Sequence, residues 1–532
     1  MDAITEGRIG RVVSLLGAKV IFLLDQDTTG EAGFDGLQIG VLVKIQSARH
    51  VAIGMVTGLS IPMPKAEASQ EELRICELEL VGELTPDGDG DKLRFRRGLS
   101  ITPSLGDAVA RANQADIGLV YAPPSDSIVE IGTIQQEASL PAYAVVDGLL
   151  GRHFAILGTT GCGKSCALSL ILHRLMAAHD SAHVVLLDPH GEYAKAFGSQ
   201  AECMEPGDFN IPVWLFNFEE LAEIVFGRDP SDYAQEIAVL RDLVQRAKQM
   251  MAREDKVDFS ITADTPVPFK MGDISRMLDE EAGKLDNRSE VAPYLRVRNR
   301  LNALQNDRRY AFIFQGSMMV RDNMAQLLSR IFRVPVDGKP LSILNLSGVP
   351  SEILNVVVSI LCRMTFDFAH WGDQETPILL VCEEAHRYAP ANDDSFESTR
   401  RALARIAKEG RKYGVSLGIV SQRPSELDPR ILSQCNSIFA MRMTNERDQE
   451  IVQATLSEVS SALIDSLPSL GNAEAIAVGD GVAVPMRVAF SRLTPEQQPR
   501  SATARFSEAW KSGAQGHTEM QTIVNRWRRQ RR

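Results

Sequence analysis

One eight-residue segment has the composition of a phosphate-binding loop. It fits the pattern GxxxxGK[ST]. Its members are Gly158, Thr159, Thr160, Gly161, Cys162, Gly163, Lys164 and Ser165. Glycines let the backbone wrap closely around phosphate, so that successive N–H groups point inward, and the N-terminus of a following helix adds favourable partial charge. The segment therefore predicts ATP binding, with Lys164 reaching the β- and γ-phosphates and the Ser165 hydroxyl binding Mg²⁺.

A pair of carboxylates follows an apolar run much later in the chain. Residues 378–382 read Ile-Leu-Leu-Val-Cys, and Glu383 and Glu384 come directly after them. If this run is a parallel strand, both carboxylates lie at the carboxyl edge of the sheet, beside the phosphate-binding loop. We expect Glu383 to help hold Mg²⁺ through water and Glu384 to act as general base on the attacking water. The alternative is a strand that simply ends in solvated acids.

Two further strand ends carry polar residues. Gln422 follows the run at 415–421, where an amide can sense the γ-phosphate and orient the water; the alternative is a polar strand cap. Asp188 follows the run at 183–187 and opens the segment Asp-Pro-His-Gly-Glu-Tyr. Asp188 and Glu192 could lie near Mg²⁺ or the attacking water, with Asp188 as a candidate metal ligand. The alternative for this segment is a turn whose geometry is set by its proline and glycine.

A basic segment precedes the strand that ends in Gln422. Arg401, Arg405, Lys408 and Lys412 are spaced by four, three and four residues, which places them on one face of a predicted helix. This face could contact DNA phosphates or the nucleotide of a neighbouring subunit, or it could simply be solvated. Arg411 is the candidate for an arginine finger that acts in trans on the γ-phosphate. Five of the last seven residues, 526–532, are also arginine, which predicts either an anion-binding or a solubilising end.

The elements around these residues change in character along the chain. Short alternating runs over residues 1–100, punctuated by glycine and proline, predict a small barrel or sandwich of strands. A strand-turn-helix-strand order then begins near residue 151 and predicts a parallel α/β sheet. Helical spacing dominates from 218 to 340, and strand-like runs return afterwards. The predicted divisions are a strand domain (1–100), a connection (101–150), two halves of an α/β core (151–217 and 341–495) separated by a helical insertion (218–340), and a polar extension (496–532).

Composition limits the classes of protein that fit. The chain has 532 residues, 57 Lys and Arg against 69 Asp and Glu, and a formal net charge of −12. An acidic total excludes a surface coated in basic charge, although a basic channel can lie inside an acidic body. We expect no membrane span, because no apolar run reaches about 20 residues, and we see no signal peptide. Seven widely spaced cysteines predict neither a disulfide framework nor a zinc site, so we expect a cytoplasmic protein.

In order and spacing, these motifs resemble the HerA-type hexameric ATPases of the HerA–FtsK superfamily, bacterial members included. The matching segments are HFAILGTTGCGKS (153–165), DPHGEY (188–193), LSGVP (346–350), EEAH (383–386), GRKYG (410–414) and SQRP (421–424). The resemblance implies an α/β fold in which a RecA-like P-loop ATPase core carries an N-terminal β-barrel and an inserted helical bundle. One departure is Glu383, because many relatives have Asp there, which puts the hydrolysis rate in more doubt than nucleotide binding.

The resemblance also implies an activity and partners. Relatives form homo-hexameric rings that move double-stranded DNA through the pore with ATP and Mg²⁺. Archaeal relatives work with the nuclease NurA in DNA end processing, and some bacterial relatives pair with a nuclease or a sirtuin-like NADase in anti-phage defence. The first hypothesis is therefore a DNA translocase or helicase that serves such an effector. The alternatives are a nucleotide-dependent scaffold ring that gates an effector, and a conjugation- or secretion-type motor, which the expected lack of a membrane span disfavours.

Overall fold

The computed structural model describes most of the chain. The described residues are 7–500 apart from 26–36, 48–49, 62–72, 87–92, 124–126, 206–210, 228–229, 255–259, 286, 315–321, 350, 393–395 and 456–460, together with 507, 510–511 and 516–529. Parts of two predicted features, the start of the basic segment and residues 530–532 of the arginine-rich end, lie outside them.

The N-terminal strands form a closed barrel. Their bounds are β1 Arg8–Leu16, β2 Lys19–Leu24, β3 Leu42–Gln46, β4 Val51–Ser60, β5 Ile75–Pro86, β6 Leu93–Arg97 and β7 Ala108–Arg111. The order is β2-β1-β7-β3-β4-β5-β6, and pairing of β2 with β5 closes six strands into a ring, with β6 added on β5. Alternating apolar side chains fill its own core. The barrel is confirmed, but it extends to Arg111, past the predicted boundary at residue 100, because β7 pairs with β1 and β3.

A second sheet forms the core of the α/β fold. Its strands are β8 Ile128–Ile134, β9 Glu137–Val145, β10 Phe154–Leu157, β11 Val184–Asp188, β12 Ala201–Met204, β13 Leu341–Asn345, β14 Ile378–Cys382, β15 Val415–Ser421, β16 Ser437–Met441, β17 Glu474–Gly479 and β18 Met486–Phe490. The order is β12-β13-β11-β14-β15-β10-β16-β17-β18-β8-β9. The first seven are parallel and the last four are added antiparallel. The predicted connection at 101–150 thus supplies two strands of this sheet.

Helices cover the parallel strands, whose residues are almost all buried, as expected for a sheet enclosed on both faces. Their bounds are α1 Gln114–Val120, α2 Val146–Gly151, α3 Lys164–Ala178, α4 Ala194–Phe197, α5 Phe218–Phe226, α6 Ala234–Glu254, α7 Met271–Gly283, α8 Arg288–Asn306, α9 Ala311–Phe314, α10 Met324–Phe332, α11 Ser351–Trp371, α12 Glu397–Glu409, α13 Pro429–Leu432, α14 Glu446–Thr455, α15 Ser461–Asp465 and α16 Gly516–Arg529. The helices α5 to α10 occupy the predicted helical insertion.

The helix α11 corrects the expectation that no segment is long and apolar enough to cross a bilayer. The stretch Ile353–Trp371 meets that requirement by length and composition. However, 78% of it is buried inside the protein, where it packs against α5, α12 and the strand β14. Its apolar character is therefore explained by burial on several sides within the core.

One of the contacts between the barrel and the core sheet is made by an arginine. Arg97, at the end of β6, donates from Nε to the carbonyl oxygen of Ala483 (2.6 Å) and from Nη2 to those of Val482 (2.6 Å) and Gly479 (3.0 Å). These three carbonyls belong to the turn between β17 and β18. A planar guanidinium with several donors suits such a cluster, so Arg97 ties the turn to the barrel.

Candidate active site

The phosphate-binding loop has the conformation that its sequence predicts. It joins β10 to α3, and Gly161 and Gly163 have φ of 78° and 108°, which side chains with a Cβ rarely adopt. Lys164 begins the helix and is 6% exposed, and its Nζ donates to the carbonyl oxygen of Thr159 at 3.1 Å. The backbone is therefore already curled around the place where a phosphate would sit, with the lysine across its opening.

The acid pair lies beside this loop. β14 is separated from β10 by β15 alone, and all three strands run parallel. Ser165 Oγ is 3.4 Å from Glu383 Oε1, although the two residues are 218 positions apart in the chain. Glu384 comes next and has φ of 50°, a left-handed conformation that is unusual for a residue with a side chain. The structure thus brings together the loop and the two carboxylates.

Electrostatics at this edge of the sheet favour a bound cation. Burial raises the pKa of Glu383 to about 8, and repulsion from Glu384 adds to the rise while the Lys164 ammonium opposes it. Burial also raises the pKa of Glu192, with opposing and reinforcing effects from the charges around it. Several carboxylates therefore surround a single lysine, an arrangement that added positive charge would stabilise.

The residues present fit Mg²⁺ held together with a nucleotide. Glu383 Oε2 and Glu384 Oε2 are buried and accept no hydrogen bond. An orphaned buried carboxylate oxygen is costly unless a ligand or water pairs with it. In the described part of the chain, no group of three or more His, Cys, Asp or Glu side chains could hold a metal by itself. Mg²⁺ commonly takes one or two protein ligands plus phosphates, and Ser165 with Glu383 can supply these.

The amide of Gln422 also reaches the loop. Its Oε1 accepts a short hydrogen bond from the Thr160 hydroxyl. Gln422 follows β15, which lies between the strands that carry the loop and the acid pair. The position matches the predicted sensor, because the amide stands between the loop and the carboxylates.

Asp188 is placed differently from the other predicted ligands. Its Oδ1 accepts from the backbone N–H of His190 (3.2 Å) and Gly191 (2.8 Å), and its Oδ2 accepts from that of Tyr193 (3.1 Å). The carboxylate is 1% exposed, and burial raises its pKa despite these bonds. This geometry favours the turn alternative, in which Asp188 closes the segment 188–193.

Arg411 lies at the other edge of the sheet. It is exposed and precedes β15, whereas Gln422 follows that strand. Seven strand residues separate the two edges by about 20 Å, well beyond the reach of an arginine side chain. Arg411 lines a cavity of about 860 Å³ at the amino edge, together with Asp147, His179 and Ser416. It therefore cannot contact a nucleotide bound to the loop of its own chain.

The predicted basic face is exposed but partly neutralised. Arg401 lies 3.4 Å from Glu219, and Arg405 stacks over the Phe366 ring at 4.0 Å. Lys408 and Lys412, in contrast, are exposed and have no partner among the described residues. Within the described part of the chain, these two lysines are therefore unpaired positive charges near the amino edge.

Sequence reasoning missed residues that the structure adds to the site. Arg442 directly follows β16, on the opposite side of the loop from the acid pair, and its carbonyl oxygen accepts from both the N–H and the hydroxyl of Thr159 at 3.0 Å. Its guanidinium donates to Asn472 Oδ1 at 2.9 Å. His386 was quoted within a motif but given no role, and it contacts the acid pair. Only its spacing from Glu384 could have pointed to it.

Comparison with known proteins agrees with this geometry. The family model described as the central domain of helicase HerA matches residues 129–365, which include the loop and much of the insertion. The chain is 26% identical over 513 residues to the probable DNA double-strand break repair helicase HerA of Methanocaldococcus jannaschii, covering 89% of this chain and 95% of that one. The chain is therefore similar to the HerA helicases, and the family model covers its residues 129–365. This similarity supports an ATP-dependent helicase, and the site described above is its candidate nucleotide site.

Other HerA proteins show similar coverage. The chain is 27% identical to DNA double-strand break repair helicase HerA of Pyrococcus furiosus over 72% of each chain, and 23% identical to that of Sulfurisphaera tokodaii over 95% of this chain and 99% of that one. Among solved structures, VirB4 of Thermoanaerobacter pseudethanolicus is 16% identical, with a TM-score of 0.49, over 70% of this chain and 99% of that one.

Proposed function

We propose that this protein is a cytoplasmic, ATP-driven motor that moves double-stranded DNA through a homo-hexameric ring and serves a nuclease or another effector in DNA end processing or defence. One observation carries the proposal. The loop, the acid pair and the amide converge at one edge of the sheet, while the candidate finger lies at the other. Such a site is complete only when a second copy of the chain presents its amino edge.

The proposed hydrolysis assigns one task to each residue. Lys164 binds the β- and γ-phosphates, and Ser165 and Glu383 would hold a Mg²⁺ ion, which would offset phosphate charge. Glu384 accepts the proton of the attacking water, and Gln422 orients that water after leaving Thr160. The base and ribose would then extend toward Arg442 and Asn472, because the acid pair occupies the other side of the loop.

Arg411 completes the site from the neighbouring subunit. An arginine that stabilises charge on the γ-phosphate accelerates hydrolysis by orders of magnitude. Because this arginine sits just before β15 and the Gln422 sensor just after it, motion of one subunit changes the site of the next. This arrangement supports coupling of hydrolysis to movement around a ring.

DNA binding would be electrostatic and independent of sequence. The relatives named above are described as DNA double-strand break repair helicases, which supports DNA as the polymer. Positive charge at Lys408 and Lys412, in a chain whose net charge is −12, fits contact with phosphates at a limited surface. We therefore expect affinity to fall steeply with salt.

The test is DNA-stimulated ATP hydrolysis measured together with the mass of the intact assembly. We expect a hexamer whose hydrolysis rises with duplex DNA and disappears in Lys164→Ala, and which displaces a triplex-forming strand from duplex DNA. Hydrolysis that ignores DNA, with no displacement, would reject the motor. Full activation of a co-purifying effector by Glu384→Gln would favour the scaffold alternative.

A further inference from the structure

His386 stands between the acid pair and the end of β15. Its Nδ1 is 3.4 Å from Glu384 Oε2 and 3.2 Å from Ser421 Oγ. The imidazole side chain is only 8% exposed, and Ser421 is fully buried. Ser421 Oγ also accepts from the backbone N–H of Arg423 at 3.1 Å. A single ring nitrogen therefore faces both the candidate general base and the strand that carries the candidate sensor.

The two neighbours of Nδ1 decide which tautomer fits. Without a proton, Nδ1 would present a lone pair to the Glu384 carboxylate, which is repulsive. With a proton, it can donate to Glu384 Oε2 or to Ser421 Oγ, and the present distances lie between these two choices. Burial lowers the pKa of His386, with the Glu384 carboxylate opposing, so the ring carries one proton at neutral pH. One donor is thus shared by two competing acceptors.

We propose that His386 is a positioning residue that links the carboxylate of Glu384 to Ser421, so that the orientation of the general base follows the position of the strand end next to Gln422. This inference rests on the proposed hydrolysis. It assigns to His386 no contact with nucleotide or metal. Its effect is exerted through Glu384 alone.

The backbone explains why Glu384 needs such a link. Its positive φ belongs to a tight turn in which the N–H of Arg387 donates to the Glu384 carbonyl oxygen at 2.9 Å. That turn fixes the main chain but leaves the carboxylate with Oε2 unpaired. His386 is on the same turn, and its ring is the donor group that faces this oxygen. Rotation of the carboxylate is therefore restrained only when the ring donates to it.

Movement of Gln422, the candidate sensor, would be passed to His386 through Ser421. Ser421 directly precedes Gln422, which is bonded to Thr160 of the loop. When a γ-phosphate draws Gln422 away from Thr160, the end of β15 shifts and with it Ser421 Oγ. The hydrogen bond that His386 Nδ1–H donates then changes its acceptor between Ser421 Oγ and Glu384 Oε2. The base is oriented in step with the sensor.

The experiment compares His386→Leu, His386→Asn and Ser421→Ala in the full-length protein by steady-state ATP hydrolysis and by binding of a fluorescent ATP analogue. We expect His386→Leu to lower kcat about 10- to 100-fold while KM and analogue affinity change less than about twofold. The asparagine amide nitrogen replaces Nδ1, so His386→Asn should recover most of kcat. The double variant His386→Leu with Ser421→Ala should lose no more than the larger single loss.

Arg387→Ala, an exposed neighbour on the same turn, is the matched control and should retain wild-type kcat. Wild-type kcat in His386→Leu, a loss confined to KM, or additive losses in the double variant would overturn the link. If His386→Leu does not fold, the other two variants still test the link. The link requires near-wild-type kcat in His386→Asn together with a loss of kcat in Ser421→Ala. Failure of the wild-type protein to hydrolyse ATP would instead reject the proposed function.

Discussion

The two edges of the parallel sheet differ in every property that matters for catalysis. The carboxyl edge is buried and acidic, with Glu383 and Glu384 around Lys164. The amino edge exposes Arg411 and Lys412 to solvent, and the open cavity lined by Arg411 is also lined by Asp147 and Glu375. About 20 Å of strand separates the two edges. In the proposed ring, the amino edge of one copy would bring Arg411 to the phosphate site at the carboxyl edge of the next copy.

The carboxyl edge also contains local backbone strain and desolvated charge. At the carboxyl edge, Glu384 adopts positive φ and two carboxylate oxygens have no partner. Such features cost of order 1–3 kcal/mol each and persist where a function requires them. Among described residues at the amino edge, Arg411 and Lys412 are charges kept in water. One edge is preorganised, whereas the other is available for contact.

The largest effect is expected at the carboxyl edge from Lys164→Ala. Removing the ammonium takes away the charge that binds the β- and γ-phosphates, so ATP hydrolysis should fall on the order of 10³-fold, with weaker nucleotide binding. The measurement is phosphate release with saturating DNA. Lys195→Ala, an exposed lysine downstream of β11, is the control. Substantial hydrolysis in Lys164→Ala would mean that the loop is not the catalytic site.

Glu384→Gln separates binding from chemistry at the same edge. The amide cannot accept the proton of water, so kcat should fall about 10²- to 10³-fold while ATP affinity is retained or rises, because one negative charge is removed. Glu409→Gln, at the exposed end of α12, should behave as wild type. If Glu384→Gln weakens ATP binding and leaves kcat intact, Glu384 is a binding residue and not the base.

Arg411→Ala tests whether the amino edge acts on a neighbour. We expect a loss of about 10- to 100-fold in kcat with the assembly intact, and Lys412→Ala should show a much smaller change. Mixing Arg411→Ala with Glu384→Gln subunits should restore part of the activity, because some interfaces then combine an intact acid pair with an intact arginine. Strict absence of complementation in mixed rings of verified mass would place Arg411 outside the site.

Local pattern was sufficient to predict the carboxyl edge and most of the barrel. The loop follows from eight consecutive residues, and the acid pair and Gln422 follow from the rule that parallel strands end at the same edge. The short alternating runs predicted over residues 1–100 correspond to strands that begin with β1 at Arg8–Leu16. In contrast, β6 and β7 are short and only partly buried, so their residues show no clear alternation.

Features that depend on distant partners could not be read from sequence. Membership of β8 and β9 in the core sheet depends on pairing of β8 with β18, more than 300 residues later. The contact of His386 with Ser421 depends on which strands are neighbours. The composition of 188–193 was equally compatible with a metal ligand and a turn, and only the three backbone donors around Asp188 distinguish them. The position of Arg411 at the amino edge follows from its place just before β15. The sequence does not show which nucleotide Arg411 would contact.

The smallest effect is expected at His153, which links α12 to the core sheet through hydrogen bonds. His153 is 2% exposed and has φ of 60°, its Nδ1 accepts from the N–H of Leu417, and its Nε2 faces the carbonyl oxygen of Ala407 in α12, both at 3.0 Å. The Leu417 N–H requires Nδ1 to be unprotonated, so the ring is neutral with its proton on Nε2. Burial accordingly lowers the pKa of His153 below its ordinary value of 6.5.

The pH dependence of stability follows from that direction. Below pH 6.5 the unfolded chain binds a proton at His153 before the folded chain does, so this residue makes the free energy of unfolding decrease as the pH falls, by about 1.4 kcal/mol for each unit of pKa depression. In His153→Asn, which tolerates positive φ and does not titrate, the decrease between pH 7.5 and 5.5 should be smaller, by at most about 1.4 kcal/mol, in urea unfolding. The exposed His179→Asn is the control and should follow the wild type. If the free energies of unfolding of His153→Asn and of the wild type changed with pH in parallel, the ring would not be held neutral. Packing alone would then hold α12 to the sheet.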